Sequence, residues 1–331
     1  MNQGWTYREQ VDRQGAGQTL LQFYSQRYQH STPQEWQERI DSGQILLDGK
    51  PASADTVLKV GQQLTYDRPP WQEPDVPLSF QILYEDADLL VVEKPSGLPV
   101  LPGGGFLQNT LLYQLQQQYP QATPVPIHRL GRGTSGLMLL ARSPLAKAKL
   151  SQQMRQNTLG GAIPAKGTDL EKGNDRQIRK TYRTLIGKSE LPDRFTLDYA
   201  IGKIPHPVLG YVYGAVKGDA VKGDTVKEGL FAYSEAQVLR RTDTTTLLEV
   251  TILTGRPHQI RIHLAAAGYP LLGDPLYEAG GLPRLQAVAP GEKLPVPGDC
   301  GYLLHAYRLR FPHPRSHQLM DFRCPPPAEL T

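Results

Sequence analysis

One segment constrains this chain more than any other. His128-Arg129-Leu130-Gly131-Arg132-Gly133-Thr134-Ser135-Gly136 runs directly into the apolar stretch Leu137-Met138-Leu139-Leu140-Ala141. A cationic, glycine-rich loop that feeds a strand-like run belongs at the end of a buried sheet strand. Its glycines also satisfy G-x-G-x-x-G, the dinucleotide fingerprint. That fingerprint needs a strand before it, a helix after it and an acidic residue about 20 positions further on. Here the strand comes after the loop, and no Asp or Glu occurs between Glu93 and Asp169. Nicotinamide and flavin binding are therefore excluded, and no nucleotide cofactor is expected.

The remaining composition narrows the setting. The chain has 331 residues, of which 39% are hydrophobic and 21% charged, enough for one large domain and a small one. No apolar run reaches spanning length, so no membrane partner is expected. Residues 1–18 lack the apolar centre of a signal peptide. The two cysteines, Cys300 and Cys324, have no metal-ligand spacing, and His258 and His263 lie five apart on what reads as a strand. No metal is expected, and the compartment reads as reducing: cytoplasm or an organelle matrix. Net charge is only +4, but residues 128–180 hold 11 Lys/Arg against 3 Asp/Glu, while residues 1–75 hold 7 against 10. Cationic charge gathered around one loop is the footprint of a phosphate-contacting surface; its bland alternative is a solvated basic face.

Residues 1–30 show no clean periodicity and read as an N-terminal extension. Thr32-Pro33-Gln34-Glu35 is a helix start with a capping box and proline at the first helical position. Gly43 stops that helix, Ile45-Leu46-Leu47 reads as a strand, Asp48-Gly49 as a tight turn, and Val57–Tyr66 as a further strand region. Residues 69–78 form a Pro-rich linker. Beyond it, residues 79–331 mix strands (80–83, 89–92, 137–141, 247–252, 259–264) with helices (110–119, 144–156). Residues 159–175 read as a flexible insert, and the doubled Ala-Val-Lys-Gly-Asp at 215–224 as an expanded surface loop. The expected class is α+β, with a mixed, largely antiparallel sheet and a small N-terminal α/β domain.

The loop at 128–136 resembles the His-Arg-Leu-Asp-x-x-Thr-Ser-Gly signature of the RluA family of RNA pseudouridine synthases. Further blocks resemble that family in its order: Ile82–Asp86 with Val91–Val100, Lys180-Thr181-Tyr182, Thr254–Leu264, Gly273–Tyr277 and Leu304–Leu309. Residues 31–68 resemble the alpha-L RNA-binding motif that often precedes this catalytic domain, although the helix around Gln34, Glu35, Gln37, Glu38 and Asp41 lacks the basic face of that motif. The resemblance implies the pseudouridine synthase fold, isomerisation of uridine in rRNA or tRNA, and no cofactor, and a monomer is expected.

Residue by residue, the resemblance implies that Arg256 pairs with the catalytic carboxylate, that Tyr182 stacks on the extruded base, and that Arg129 displaces the base or binds phosphate. It implies RNA contacts for His128, Arg132, Thr134, Ser135, His258 and Arg261. From the residues alone, Thr134 and Ser135 are expected to bond the backbone of their own loop, Arg256 could be a surface arginine and Tyr182 an ordinary strand aromatic. The chain departs from the family at one place: Gly131 stands where the catalytic aspartate is expected. A substitute would have to come from Asp86, Asp88, Glu93 or Asp274. The alternative is a non-catalytic RNA-binding protein on the same scaffold.

Overall fold

The computed structural model describes residues 1–160, 177–207, 209–216, 229–286 and 293–331. Residues 161–175 of the insert expected at 159–175, and residues 217–224 of the doubled loop at 215–224, lie outside the described residues. The chain divides into two compact units, 1–74 with 206–211, and 75–205 with 212–331, so the division falls inside the Pro-rich stretch.

The first unit contains β1 (Trp5–Gln10), α1 (Leu20–Arg27), α2 (Pro33–Asp41), β2 (Ile45–Leu47), β3 (Lys50–Pro51) and β4 (Gln63–Arg68). Both helices begin with full capping boxes, from Thr19 with Gln22 and from Thr32 with Glu35. The strands form an antiparallel sheet in the order β1-β4-β2-β3. Residues 1–30 are therefore built into the small unit. Strand β1 pairs with β4 along its whole length, and Leu20, Phe23 and Tyr24 share a core with Trp36, Ile40 and Leu64. Strand β1 hides this in sequence because both its faces are largely exposed, which erases the alternation.

The second unit contains β5 (Gln81–Glu85), β6 (Leu89–Lys94), α3 (Leu111–Gln118), β7 (Val125–Pro126), β8 (Thr134–Ala141), α4 (Pro144–Gly160), β9 (Arg179–Gly187) and β10 (Arg194–Leu197). There follow a ribbon of β11 (Ile201–His206) and β12 (Gly210–Ala215), then β13 (Ser234–Arg241), β14 (Thr245–Ile252), α5 (Gln259–Ala266), β15 (Leu304–Pro312) and β16 (Leu319–Arg323). Its main sheet runs β10-β13-β14-β9-β15-β8-β6-β5, with β16 on β15 and β7 on β8. Its pairs are antiparallel except for β15 with β8. This is the mixed, largely antiparallel α+β architecture expected from the sequence.

One expectation is corrected. Residues 259–264, read as a strand, form helix α5. Ile260, Ile262 and Leu264 alternate with polar residues as a half-buried strand would, but all of Gln259–Ala265 is buried. A helix buried on every side carries no periodic signal. His258, at φ 54°, turns the chain into it.

The sheet places the loop of interest through one close contact. At Gly136, φ is +100°, and a Cβ would lie 2.4 Å from the carbonyl oxygen of Ala306. Only glycine lets β8 approach β15 this closely. Register then sets Val250, Tyr182, Ala306, Gly136 and Lys94 in one row across five strands, so Tyr182 and Lys94 share a face.

His263 of α5 is fully buried. Its Nε2–H donates to the Tyr199 carbonyl at 3.0 Å and its Nδ1 meets Ser234 Oγ at 3.0 Å, an arrangement suited to the neutral ring. Burial pulls its pKa down to about 4, against a small upward pull from that carbonyl. The unfolded chain protonates His263 near 6.5. Between about 6.5 and 4 the unfolded state therefore holds more protons, and stability falls as pH falls, by up to about 1.4 kcal/mol per pH unit for this group. Urea midpoints of His263→Asn are expected to show a shallower decline from pH 7 to pH 4.5 than those of the parent; parallel declines would refute this assignment.

Candidate active site

The loop is held by its backbone. Lys94, wholly buried at the end of β6, donates from Nζ to the carbonyls of Pro95 (2.8 Å), Leu98 (2.8 Å) and Arg132 (3.2 Å). Gly97 N–H also donates to Arg132 O, and Ser96 Oγ to Gly133 O, each at 2.8 Å. The turn closes with Thr134 N–H on Gly131 O at 3.1 Å. Burial draws the Lys94 ammonium down to about 7. Lys94→Met would strip three carbonyls of a shared donor, so a loss on the order of 3 kcal/mol in chemical denaturation is expected. A stability equal to that of the parent would show that the loop stands without it.

Among the described residues, no carboxylate lies within 4 Å of the point where a Gly131 Cβ would sit. A Cβ at this position would lie 3.0 Å from Tyr302 Oη and 3.6 Å from Thr134 Oγ1. The Tyr302 ring packs on the Arg261 guanidinium, 4.1 Å from its centroid. Arg261 in turn makes two 2.7 Å bonds to Asp274, from Nε to Oδ2 and from Nη2 to Oδ1. The two side chains are 2% and 0% exposed, so this ion pair is sealed from water. Asp274 also accepts the backbone N–H groups of Leu276 and Tyr277. Burial pushes the Tyr302 phenol up. Tyr302 lies two residues ahead of the Leu304 block, and nothing in the sequence marks it. Only the fold brings it to Gly131.

A second cluster joins His128, Lys180 and the loop at 254–256. His128 Nε2 accepts Leu139 N–H at 3.1 Å, which requires the neutral ring, and desolvation with the Lys180 charge holds its pKa near 3. Lys180, drawn by burial to about 8, has its Nζ 3.0 Å from the point where a Gly255 Cβ would sit. Arg256 is half-buried; its Nε donates to Phe231 O at 2.9 Å, and its N–H to Gln259 Oε1 at 3.0 Å. Burial lowers its pKa. His258 Nδ1 lies 2.8 Å from Tyr277 Oη, which donates to Tyr213 O, so the histidine is the donor of that pair. Burial, with the charges of Arg261 and Arg129, pulls His258 to about 3.

The structure sorts the residues singled out from the sequence. Gly131 and Thr134 meet around Tyr302, with Arg261 beneath. Tyr182 lies on the same sheet face, 7% exposed, its phenol raised by burial. Arg129 is exposed, and Arg132 spans from Gly298 O (2.7 Å) to the Phe106 ring (5.3 Å). Arg261, expected at an RNA contact, is instead buried in its ion pair. The expected loop-backbone bonds of Thr134 and Ser135 are replaced by side-chain contacts. Thr134 Oγ1 reaches Tyr302 Oη at 3.4 Å, and Ser135 Oγ bonds His305 Nδ1 at 2.9 Å on the opposite face of the sheet.

The proposed substitutes for the aspartate separate in the same way. Asp86 and Asp88 precede β6, whereas the loop lies at its far end, roughly 20 Å away at the rise of a strand. They are engaged there by His313 and Arg315. Glu93 alternates with Lys94 and points to the other face, toward Cys324 and His305. Only Asp274 lies under the loop, and Arg261 occupies both its oxygens.

Comparison with known proteins bears on what this arrangement is. The profile of the family described as RNA pseudouridylate synthase matches residues 88–266, more than half of the chain. The chain belongs to this family. An uncharacterized RNA pseudouridine synthase of Synechocystis sp. is 48% identical, over 94% of this chain and 95% of that protein. RNA pseudouridine synthase 5 of Arabidopsis thaliana is 39% identical, over 100% and 95%. Ribosomal large subunit pseudouridine synthase D of Neisseria meningitidis is 30% identical, over 92% and 73%. Human RNA pseudouridylate synthase domain containing 4 shares the fold, with a TM-score of 0.53 and 24% identity over 75% of this chain and 89% of that one. As an RNA pseudouridylate synthase family member of the RluA kind, the chain is an isomerase by kinship. Among the described residues no helix is long and apolar enough to cross a membrane.

Proposed function

We propose that this chain isomerises uridine to pseudouridine in rRNA or tRNA, as a cofactor-free monomer of the cytoplasm or an organelle matrix. The observation that carries this reading is the convergence of the family blocks on one sheet face: the loop of Gly131, Lys94 beneath it, Tyr182 in the same row, and Arg261 packed under Tyr302. The reaction breaks the C1′–N1 bond, turns the uracil and joins C1′ to C5. The base has to leave its stack to be reached. Tyr182 is the ring available to an extruded base, Arg129 the exposed cation of the loop, and Arg256 a half-buried guanidinium that can meet an anion. The relatives' names support the substrate class, and the one named for the large ribosomal subunit favours rRNA.

A second reading rests on one observation: Tyr302 Oη fills the space beside Gly131, where the family's carboxylate would stand. That reading is a scaffold retained for RNA recognition without isomerisation. One experiment separates them. RNA from a strain lacking the protein is incubated with the purified chain, and pseudouridines are mapped before and after. A new site establishes the enzyme and names its uridine. RNA binding with no new site would leave the recognition scaffold.

A further inference from the structure

The first unit has a surface that its charge would not suggest. Residues 1–75 are net acidic, and α2 exposes Gln34, Glu35, Glu38 and Asp41, so the unit cannot grip an RNA backbone broadly. Yet all three tryptophans of the chain, Trp5, Trp36 and Trp71, lie here. Register sets Trp5 opposite Arg68 and Tyr7 opposite Tyr66, so these four share one face. Tyr7 stacks on Tyr66 with centroids 5.8 Å apart and planes 19° from parallel. The outer surfaces are open: Trp5 is 50% exposed and Tyr7 45%.

Two guanidiniums frame these rings. Arg39 lies 4.4 Å from the Trp36 centroid and 5.9 Å from that of Tyr66; Arg68 lies 3.6 Å from that of Trp71. Arg39 reaches the Tyr66 ring, and Arg68 stands two residues from Tyr66 on the same strand face. Arg39 is steadied by Ser31 Oγ at 2.9 Å. Among the described residues, neither guanidinium is ion-paired to a carboxylate, whereas Arg27 of the same unit is held by Glu9 and Asp12. Arg68 opposite the exposed Trp5, and Arg39 beside the Tyr66 ring on which Tyr7 stacks, set cations next to flat rings; this complements a nucleotide whose base is free, an anion and an aromatic plane at short separation.

We propose that the first unit holds unpaired nucleotides of the RNA substrate, their bases stacking on Trp5 and Tyr7 and a phosphate meeting Arg39 and Arg68. This rests on the reading of the chain as an RNA-acting protein. A paired base has no free face, so the surface selects single-stranded segments. Stacking also makes its contribution less salt-sensitive than a purely basic grip.

The test uses the full chain and a fluorescein-labelled 12-nucleotide single-stranded RNA, compared with the same sequence in a duplex, by anisotropy at several salt concentrations. Trp5→Leu/Tyr7→Leu is expected to weaken single-strand binding at least tenfold and duplex binding less than threefold, since stacking contributes appreciably per base. Arg68→Gln is expected to weaken binding three- to tenfold and to lower the salt slope by about one. Trp5→Leu alone, on a ring that is half exposed, serves where the double variant melts early; it is expected to cost at least threefold. Unchanged single-strand affinity in these variants, equal losses for the duplex, or a parent that binds no single-stranded RNA overturns the proposal. Isomerisation is scored separately on the same preparations. A parent without isomerase activity whose binding still drops in Trp5→Leu/Tyr7→Leu keeps this surface and loses only the enzymatic reading.

Discussion

Gly131→Asp combined with Tyr302→Ala is expected to raise pseudouridine formation by about 10²–10⁴-fold over Gly131→Asp alone, the range a positioned proton-transfer group contributes. The backbone at 131 does not adopt the left-handed region, so an aspartate costs no strain there. The obstacle is Tyr302. Its hydroxyl lies 3.0 Å from the new Cβ, tighter than ordinary contact, and the ring is wedged over Arg261. Removing the ring clears room for the carboxylate and frees the outer face of the guanidinium to orient it. The measurement is the initial rate of pseudouridine formation at the mapped site, for the parent, both single variants and the double variant. A parent already as fast as the double variant would show that the chain supplies its catalytic group from elsewhere. An inert double variant would show that more than one side chain has been lost.

Asp274→Asn is expected to destabilise the second unit by about 3–5 kcal/mol, because it leaves the Arg261 charge buried without its partner. The asparagine could accept one of the two guanidinium bonds but not neutralise the charge. Replacing both partners, Arg261→Met/Asp274→Leu, is expected to cost clearly less, since the desolvation of both ions disappears with them. Denaturant midpoints of the three variants read this directly. A double variant less stable than Asp274→Asn would mean that packing of the guanidinium against Tyr302 and Tyr277, and not its charge, dominates.

Most of the architecture was legible in the residues. The strand from Leu137 to Ala141, the helix begun at Pro144 and the capped helix at Pro33 carry local signals, namely apolar runs, caps and proline position, that do not depend on distant contacts. The loop at 128–136 declared both its family resemblance and its missing aspartate. One local reading failed, and one segment gave no reading at all, for related reasons. Residues 259–264 and the strand at 5–10 have no side-dependent burial, the first because every side is covered and the second because both faces are largely exposed, so periodicity could not report their structure.

The residues alone carry the family, the order of its blocks and the stretch from 94 to 168 without Asp or Glu. Which groups stand around Gly131 follows from long-range packing instead. Tyr302 is 171 positions from Gly131 in the chain, and Asp274 meets Arg261 across the turn that follows α5. Such neighbours are set by the β8–β15 pairing through Gly136 and by the burial of an ion pair. Both are long-range packing events whose energy depends on surroundings that no local pattern encodes.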